Sequence, residues 1–369
     1  MTSLKLSDLC NIRYGKDHKE LAGGPYPVYG SGGIMRHVEK PISQGPSVLI
    51  PRKGTLGNLF YTDGPFWTVD TLFWTEIDDK KIIPKYLYYL LKTEDLASLN
   101  IGTAVPSLSA DVLNEIQLGV PEMETQEKAV TLLDSIESKI NINNQINDYF
   151  VELLDAKFGR MLEDSGGWNE ASLLDIANYK NGLAMQKFRP KPGDPGLPVL
   201  KIRELGQGYC ETDAERCQSD IDEDVAVRNG DLIFSWSGTL LLDFWAGGDA
   251  GLNQHLFKVT SKSYPSWFYY MWTKYHLRKF IAMAKDRATT MGHIKRSALA
   301  DSRVLIPEQK TLAELTNSMQ PIVNQMISNR VECRKLSELR DALLPKLMLG
   351  EIDVSKVDIM QLNNHLSDC

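Results

Sequence analysis

The chain has 369 residues, 43% hydrophobic and 24% charged, which is too long for one ordinary core and has the composition of a globular protein with two or more domains. Its 41 basic and 48 acidic residues leave a net charge of −7, which excludes a uniformly basic protein and confines any phosphate contact to local cationic clusters. No apolar run approaches the roughly 18 residues of a membrane span, Lys5, Asp8 and Arg13 break any signal-peptide layout in residues 1–16, and Cys10, Cys210, Cys217, Cys333, Cys369 and the six histidines complete no zinc spacing, so a cytoplasmic chain with free thiols and no metal is expected.

From the N-terminus, LSDLCNIRYG (residues 6–15) leads into a β-rich stretch. SVLIP (47–51), LFYT (59–62) and TLFWTEI (71–77) read as strands between glycine-rich turns, and a short helix is expected near residues 84–91. TAVPSLSADVLNEIQLGVP (103–121) follows. Beyond Ala129, apolar residues recur at Leu133, Ile136, Ile140, Phe150 and Leu153, with Asn143 and Asn147 on the same stripe, in the alternating steps of three and four that mark a coiled-coil seam. Residues 125–162 would make a helix about 57 Å long at 1.5 Å per residue.

The plan then starts again. LLDIANYKNG (173–182) matches residues 6–15, Gly238-Thr239 matches Gly54-Thr55, and WFYYMW (267–272) matches YLYYLL (86–91). DLIFSWS (231–237) and QHLFKV (254–259) read as strands, with a helix expected near residues 265–279. Further on, the offset becomes a constant 186 residues: in TTMGHIKRSALADSRVLIP (289–307), Thr289 faces Thr103, Ile294 faces Leu108, Leu299 faces Leu113 and Pro307 faces Pro121. A second seam runs through Leu312, Leu315, Met319, Ile322, Met326, Asn329, Cys333, Leu336, Leu339 and Leu343, and LRDALLPKLM (339–348) matches LLDAKFGRML (153–162). Asn329 is the counterpart of Asn143, a place where a polar seam residue can set register. A repeat of this length is a duplicated domain rather than a solenoid unit.

The expected fold class is α+β, with two β-rich domains in tandem repeat separated by two long antiparallel coiled-coil helices and related by a pseudo-two-fold. The expected boundaries are 1–121 for the first domain, 122–165 for the first helix, 166–306 for the second domain, 307–350 for the second helix and 351–369 for a C-terminal tail. Residues 1–120 carry 12 basic and 13 acidic side chains, and residues 166–306 carry 18 and 16. Residues 121–165 carry 4 and 10, and residues 307–369 carry 7 and 9, so the deficit lies mainly in the first helical segment and the two β-rich stretches are nearly neutral.

Cations stand beside glycines or amides in RYGKDHK (13–19) and PRKGTLG (51–57), and again in YKNG (179–182), MQKFR (185–189), KIRE (201–204), LNQH (252–255) and GHIKR (292–296). Such loops let backbone approach a phosphate while Arg or Lys reaches a base edge. Candidate DNA contacts are Arg13, Lys16, Lys19, Arg52, Lys53, Thr55 and Ser107 in the first domain. In the second they are Lys180, Lys187, Arg189, Arg203, Asn253, Gln254, His255, His293, Lys295 and Arg296. Two such domains suit two half-sites in successive major grooves. Trp67, Trp74, Trp236, Trp245, Trp267 and Trp272 read as core, and Asp70 suits a turn cap as well as a cytosine contact. No catalytic residue is expected: His255 and His293 lack partners, and Glu137-Ser138-Lys139 sits in mid-helix without an upstream strand aspartate. A methyltransferase would need a glycine-rich cofactor loop and an Asn/Asp-Pro-Pro-aromatic stretch, and a motor would need a P-loop; none occurs. A non-catalytic coiled-coil adapter, or the recognition part of a DNA methyltransferase, is the alternative.

YPVYGSGGI (26–34), VLIPRKGTLGN (48–58), PVLKIREL (198–205), GDLIFSWSGT (230–239), LNQHLFKV (252–259) and the closing LLPKLMLGEI (343–352) extend this picture. Through them the chain resembles, over nearly its whole length, the specificity subunits of type I restriction-modification enzymes. The resemblance implies two target-recognition domains, two long helices packed antiparallel, and docking of two modification (methyltransferase) subunits and of ATP-dependent restriction subunits. It also implies no catalysis by this chain, with S-adenosylmethionine, ATP and Mg bound by those partners. The chain departs from the pattern in lacking at its N-terminus the lead-in that Gly167-Trp168 gives the second domain, and in placing Gly159 and Pro345 late in the helices.

Overall fold

The computed structural model of the protein describes residues 1–102, 104–286 and 294–354. The chain divides into two compact units, residues 1–138 with 337–369 and residues 139–336.

In the first unit, strand Thr2–Lys5 pairs antiparallel with Gln117–Val120, immediately before the first long helix, Met123–Glu163. A four-stranded sheet has the order Cys10–Tyr14, Leu72–Ile77, Ser47–Pro51, Phe60–Thr62, and a three-stranded sheet joins hairpin Tyr26–Gly30/Gly33–Val38 to Trp67–Thr68. Every residue of Ser47–Pro51 is buried, which explains why it lacks polar alternation. Its one hydroxyl is matched across the sheet: Thr75 N donates to Ser47 Oγ and Val48 N donates to Thr75 Oγ1, both at 2.9 Å. Val48, Ile50 and Phe73 pack on Tyr86 and Leu87 of helix Pro84–Lys92, and this core takes in Leu132 and Leu133 of the first long helix and Leu344 and Leu347 of the second, Gln309–Met348.

The second unit repeats the plan. Strand Asn169–Ser172 pairs with Arg303–Ile306 before the second long helix. One sheet has the order Asn178–Asn181, Leu256–Thr260, Leu232–Ser235, Leu242–Phe244, and the other Arg216–Cys217, Leu197–Leu200, Ala250–Leu252, Ala226–Val227. The one-turn helices Leu6–Leu9 and Leu173–Ile176 are closed in the same way, since Lys5 N donates to Asp8 and Ser172 N donates to Asp175. Helix Ser266–Asp286 supplies Trp267, Phe268, Trp272 and Phe280 to a core that also holds Leu154, Phe158 and Met161 of the first long helix and Met319, Val323 and Met326 of the second.

Within this unit the two long helices run antiparallel, because contacts advance along one as they retreat along the other. Asn143 Nδ2 donates to Glu332 at 2.6 Å, Asn329 Nδ2 donates to Asn147 at 3.0 Å, and Asn147 Nδ2 donates to the Met326 carbonyl at 3.3 Å. All three asparagines are buried. Of the expected seam residues, Leu133, Ile136, Met319, Met326, Asn329 and Leu336 are buried as well, and Ile140, Phe150, Leu315 and Ile322 are half-buried. Leu153 departs from the expectation: it is 43% exposed, and Leu154 is fully buried in its place; likewise Leu339 is 44% exposed while Leu344 is buried. Beyond Asn147 the buried stripe runs Val151, Leu154, Phe158, Met161, one residue on from the extrapolated seam. An untwisted helix drifts against a seven-residue repeat, and Phe158 packs edge-to-face on Trp272, 5.1 Å between ring centroids, at an azimuth set by the globular core. Gly159 and Pro345 lie inside the helices, which continue to Glu163 and Met348.

Leu154→Ala is expected to lower stability by about 2–5 kcal/mol, as a cavity in a packed core does, and Leu153→Ala by no more than about 0.5 kcal/mol. Urea unfolding of the two variants checks the reassigned stripe. Acid provides a second check. His276 is buried and its Nε2 lies 2.8 Å from the Arg303 carbonyl; burial, with a smaller contribution from Lys279, holds its pKa below the ordinary 6.5. The unfolded chain then takes up the proton first, so stability is intact above about pH 6.5 and falls as pH drops from there toward the depressed folded-state pKa. His276→Gln should flatten that part of the pH–stability curve.

Candidate nucleic-acid interface

At one end of each main sheet the backbone closes into a frame of four hydrogen bonds. In the first domain Gly15 N donates to Leu72 O (3.2 Å), Leu72 N to Val69 O (3.0 Å), Arg52 N to Thr71 O (2.9 Å) and Leu108 N to Arg52 O (2.9 Å). The second domain has the same four, from Gly182 N to Leu256 O (3.0 Å), Leu256 N to Asn253 O (3.0 Å), Trp236 N to His255 O (3.3 Å) and Ile294 N to Trp236 O (3.0 Å). Gly15 and Gly182 are required because a Cβ would strike the Val69 or Asn253 carbonyl. Two residues after Arg52 and Trp236, Gly54 and Gly238 both turn the chain with positive φ, 94° and 64°.

The frames carry different side chains. In the first, the Arg52 guanidinium lies 5.3 Å from the centroid of the Tyr14 ring and donates to the Asp70 carbonyl at 3.2 Å, with Tyr14 53% exposed. Lys53 bridges to Ser107, whose backbone N donates to Asn100 Oδ1 at 2.8 Å. Thr55 is exposed in the loop that follows, and Lys16 and Lys19 are exposed on the strand connection after Gly15. In the second frame the half-buried Trp236 donates from Nε1 to Asn181 Oδ1 at 2.9 Å and packs beside His255, ring centroids 6.0 Å apart. Asn253 accepts from His255 N at 3.2 Å, and Gln254 Nε2 lies 3.3 Å from His255 Nε2. Lys295 and Arg296 follow Ile294 and are exposed, as are Lys187 and Arg189 after Leu183, which bridges to Asn253.

Lys19 lies 4.0 Å from Asp17, and three further candidate cations are engaged more closely. Arg13 pairs with Glu76 at 2.8 Å, Lys180 with Asp224 at 2.9 Å, and Arg203 with Glu204 at 3.1 Å. The Lys180–Asp224 pair raises the lysine pKa and lowers the aspartate's, chiefly through their hydrogen bond and then their charges. These three are therefore not brought into the frames as free donors. His293 lies outside the described residues. Tyr14 and Asn181 are frame residues that sequence reading missed; Trp236, assigned to the core, does pack against it, 5.8 Å from Phe257 between ring centroids, and belongs to the frame as well. The signal was present in the repeat: Tyr14 and Asn181 each precede the framing glycine, and Arg52 and Trp236 each stand two residues before a matched Gly-Thr.

Two β-rich domains built on paired helices, each displaying side chains from a glycine-closed backbone frame, define a tandem recognition protein. Residues 1–149 and 165–328 match the family described as type I restriction modification DNA specificity domain, and the chain belongs to that family. It is 24% identical to the type I restriction enzyme MjaIX specificity subunit of Methanocaldococcus jannaschii, over 92% of this chain and 86% of that protein. It is also 24% identical to the type I restriction enzyme EcoBI specificity subunit of Escherichia coli, over 57% of this chain and 44% of that one. Its fold is that of the type I restriction-modification S subunit from M. genitalium, with a TM-score of 0.61 at 16% identity, covering 94% of this chain and 96% of the other. The chain is thus a DNA sequence-specificity subunit of the type I restriction-modification class. Among the described residues, no helix is long and apolar enough to cross a membrane.

Lys53, exposed and without an ion pair among the described residues, and Arg13, already neutralised by Glu76, should behave differently. Lys53→Ala is expected to weaken duplex binding by the assembled modification complex equally for all sequences and to reduce the slope of log affinity against log salt by about one. Arg13→Ala should leave that slope unchanged. Titrations at several salt concentrations measure both.

Proposed function

We propose that each domain reads one half of a bipartite duplex target, and that the paired helices fix the spacer between the halves and dock the other subunits. The observation that carries this reading is the pair of backbone frames with the same hydrogen bonds and different side chains, since one scaffold with two sets of readers suits two unlike half-sites. Lys16, Lys53, Lys187, Arg189, Lys295 and Arg296 are the exposed cations that would hold the phosphates. The exposed Leu153 and Leu339, 186 residues apart, give the two helices equivalent apolar positions, which supports two equivalent modification subunits, with restriction subunits joining them. In this reading the chain works in the cytoplasm and carries no catalytic group of its own. S-adenosylmethionine, ATP and Mg are bound by the partners.

The test is reconstitution with the modification subunit. The purified chain should transfer no methyl group from S-adenosylmethionine, and the complex should methylate a two-part sequence with an undefined middle. Inserting one heptad into each long helix adds about 10.5 Å at 1.5 Å per residue, or about three base pairs at 3.4 Å each, and keeps the seam in phase. A library with randomised spacer length should then return unchanged half-sites on a longer spacer. Altered half-sites on an unchanged spacer would remove the helices' proposed role.

A further inference from the structure

The two domains share more than their frames. In both, a short strand runs parallel to the one that enters the frame turn, Tyr26–Gly30 beside Trp67–Thr68 and Leu197–Leu200 beside Ala250–Leu252. Val69 N donates to Tyr29 O and Asn253 N to Leu200 O, each at 3.1 Å. The residues that follow come beside the matched glycines: a Cβ on Gly54 would lie 3.9 Å from Ser31 Oγ, and one on Gly238 would lie 3.7 Å from Ile202 Cδ1. From there the domains part. The second continues into helix Ile202–Gln207, whose exposed Arg203 is paired with Glu204. The first turns straight back through Gly30-Ser31-Gly32-Gly33 into strand Gly33–Val38, the edge of its sheet.

This hairpin tip is fastened to the frame and carries bare apolar side chains. Asn58 Nδ2 donates to Ser31 O at 2.9 Å, so the tip is joined to the loop that follows Gly54 as well as to Val69. Ile34 pairs with Tyr29 and Arg36 with Val28, which leaves Met35 as the extra residue of a bulge, a device that re-aims a side chain. A Cβ on Gly30 would strike the Met35 sulfur, so glycine there leaves that side chain its course along the tip. Ile34 is 56% exposed and Met35 59%, and neither joins a hydrophobic cluster among the described residues.

Two large apolar side chains left in water on an edge hairpin are a liability unless something covers them. Their surroundings indicate what does. The tip stands beside the loop that exposes Lys53 and Thr55, and its own glycines let backbone approach closely. A two-stranded ribbon fits the major groove, where the apolar group on a base edge is the thymine methyl. We propose that the tip at residues 30–35 enters the major groove of the first half-site, where Ile34, with Met35 beside it, covers a thymine methyl. The inference rests on the bipartite reading above. It gives the first half-site an A·T pair read through its methyl, by an element that the second domain replaces with a helix.

The test replaces thymine by deoxyuridine, which lacks only the methyl, at each position of the target that methylated-sequence profiling of the unsubstituted complex defines. Binding is measured for the modification complex reconstituted with the unsubstituted chain, Ile34→Ala, Ile34→Val and Met35→Ala. Removing one methyl in one half-site should weaken the unsubstituted complex roughly fourfold, the equivalent of about 0.8 kcal/mol for one buried carbon. Ile34→Ala should abolish that difference while leaving the other half-site and the salt slope unchanged; Ile34→Val should keep it, and Met35→Ala should reduce it. The assignment is overturned if no thymine methyl matters, or if the methyl matters equally to Ile34→Ala. It is overturned too if Ile34→Ala instead lessens bending of the duplex, as loss of a wedge between base steps would, or prevents the modification subunit from joining. Failure of the bipartite reading would show separately, as an unsubstituted complex that methylates no two-part target.

Discussion

A helix of 41 residues has more apolar surface than it can leave in water, and satisfying that surface organises this protein. Isolated helices draw little stability from propensity alone and depend on burial of one face. Here each long helix buries different stretches of its stripe in different ways. Near its start the first helix lays Leu132 and Leu133 into the core of the first domain; near its end it lays Leu154, Phe158 and Met161 into the core of the second. Between these stretches, in the second unit, Asn143 and Asn147 are buried against Glu332, Asn329 and the Met326 carbonyl. Those asparagines cost little in the observed register, because each has a partner. Slipped by a turn, they would face apolar neighbours with unpaired amides, at a cost on the order of 1–3 kcal/mol each. The polar layer thereby opposes other registers more than it strengthens this one.

Charge follows a related logic. A net charge of −7 suggests a molecule unsuited to phosphate, yet surface charges more than about 8 Å apart are largely screened at physiological salt. Local arrangement decides. Arg13, Lys180 and Arg203 are spent on Glu76, Asp224 and Glu204, whereas Lys53, Lys187, Arg189, Lys295 and Arg296 have no such partner among the described residues. Exposed ion pairs such as Arg13–Glu76 and Lys180–Asp224 contribute little to stability, so their more important effect is to limit where free cations stand.

Much of this architecture was legible in the sequence because periodicity and duplication are local or regular signals. The long helices, the strand cores such as Ser47–Pro51, and the first half of the seam through Asn147 follow from spacing alone. The seam beyond Asn147 did not, since the choice between Leu153 and Leu154 depends on Trp272, more than a hundred residues away and unconnected by any repeat. Ion pairs between Arg13 and Glu76 or Lys180 and Asp224 were hidden for the same reason: a basic residue in a glycine-rich loop looks free until the fold brings an acid to it. Trp236 was assigned to the core and does pack against it, and only its backbone equivalence to Arg52 shows that it also stands in the frame.

That equivalence shows how duplicated domains carry different side chains on one backbone frame. The four hydrogen bonds of each frame join main-chain atoms, and the glycines are needed for close approach or for a left-handed turn. None of these four hydrogen bonds uses the side chains at positions 14, 52, 70 and 71, or at 181, 236, 254 and 255. Replacing them leaves those main-chain bonds in place, although Arg52 also donates to the Asp70 carbonyl and Trp236 also packs beside Phe257 against the core of its domain. The first domain fills these places with Tyr, Arg, Asp and Thr; the second fills them with Asn, Trp, Gln and His. The frame is held by main-chain atoms, so the side chains at these places can differ between the domains while its hydrogen bonds persist.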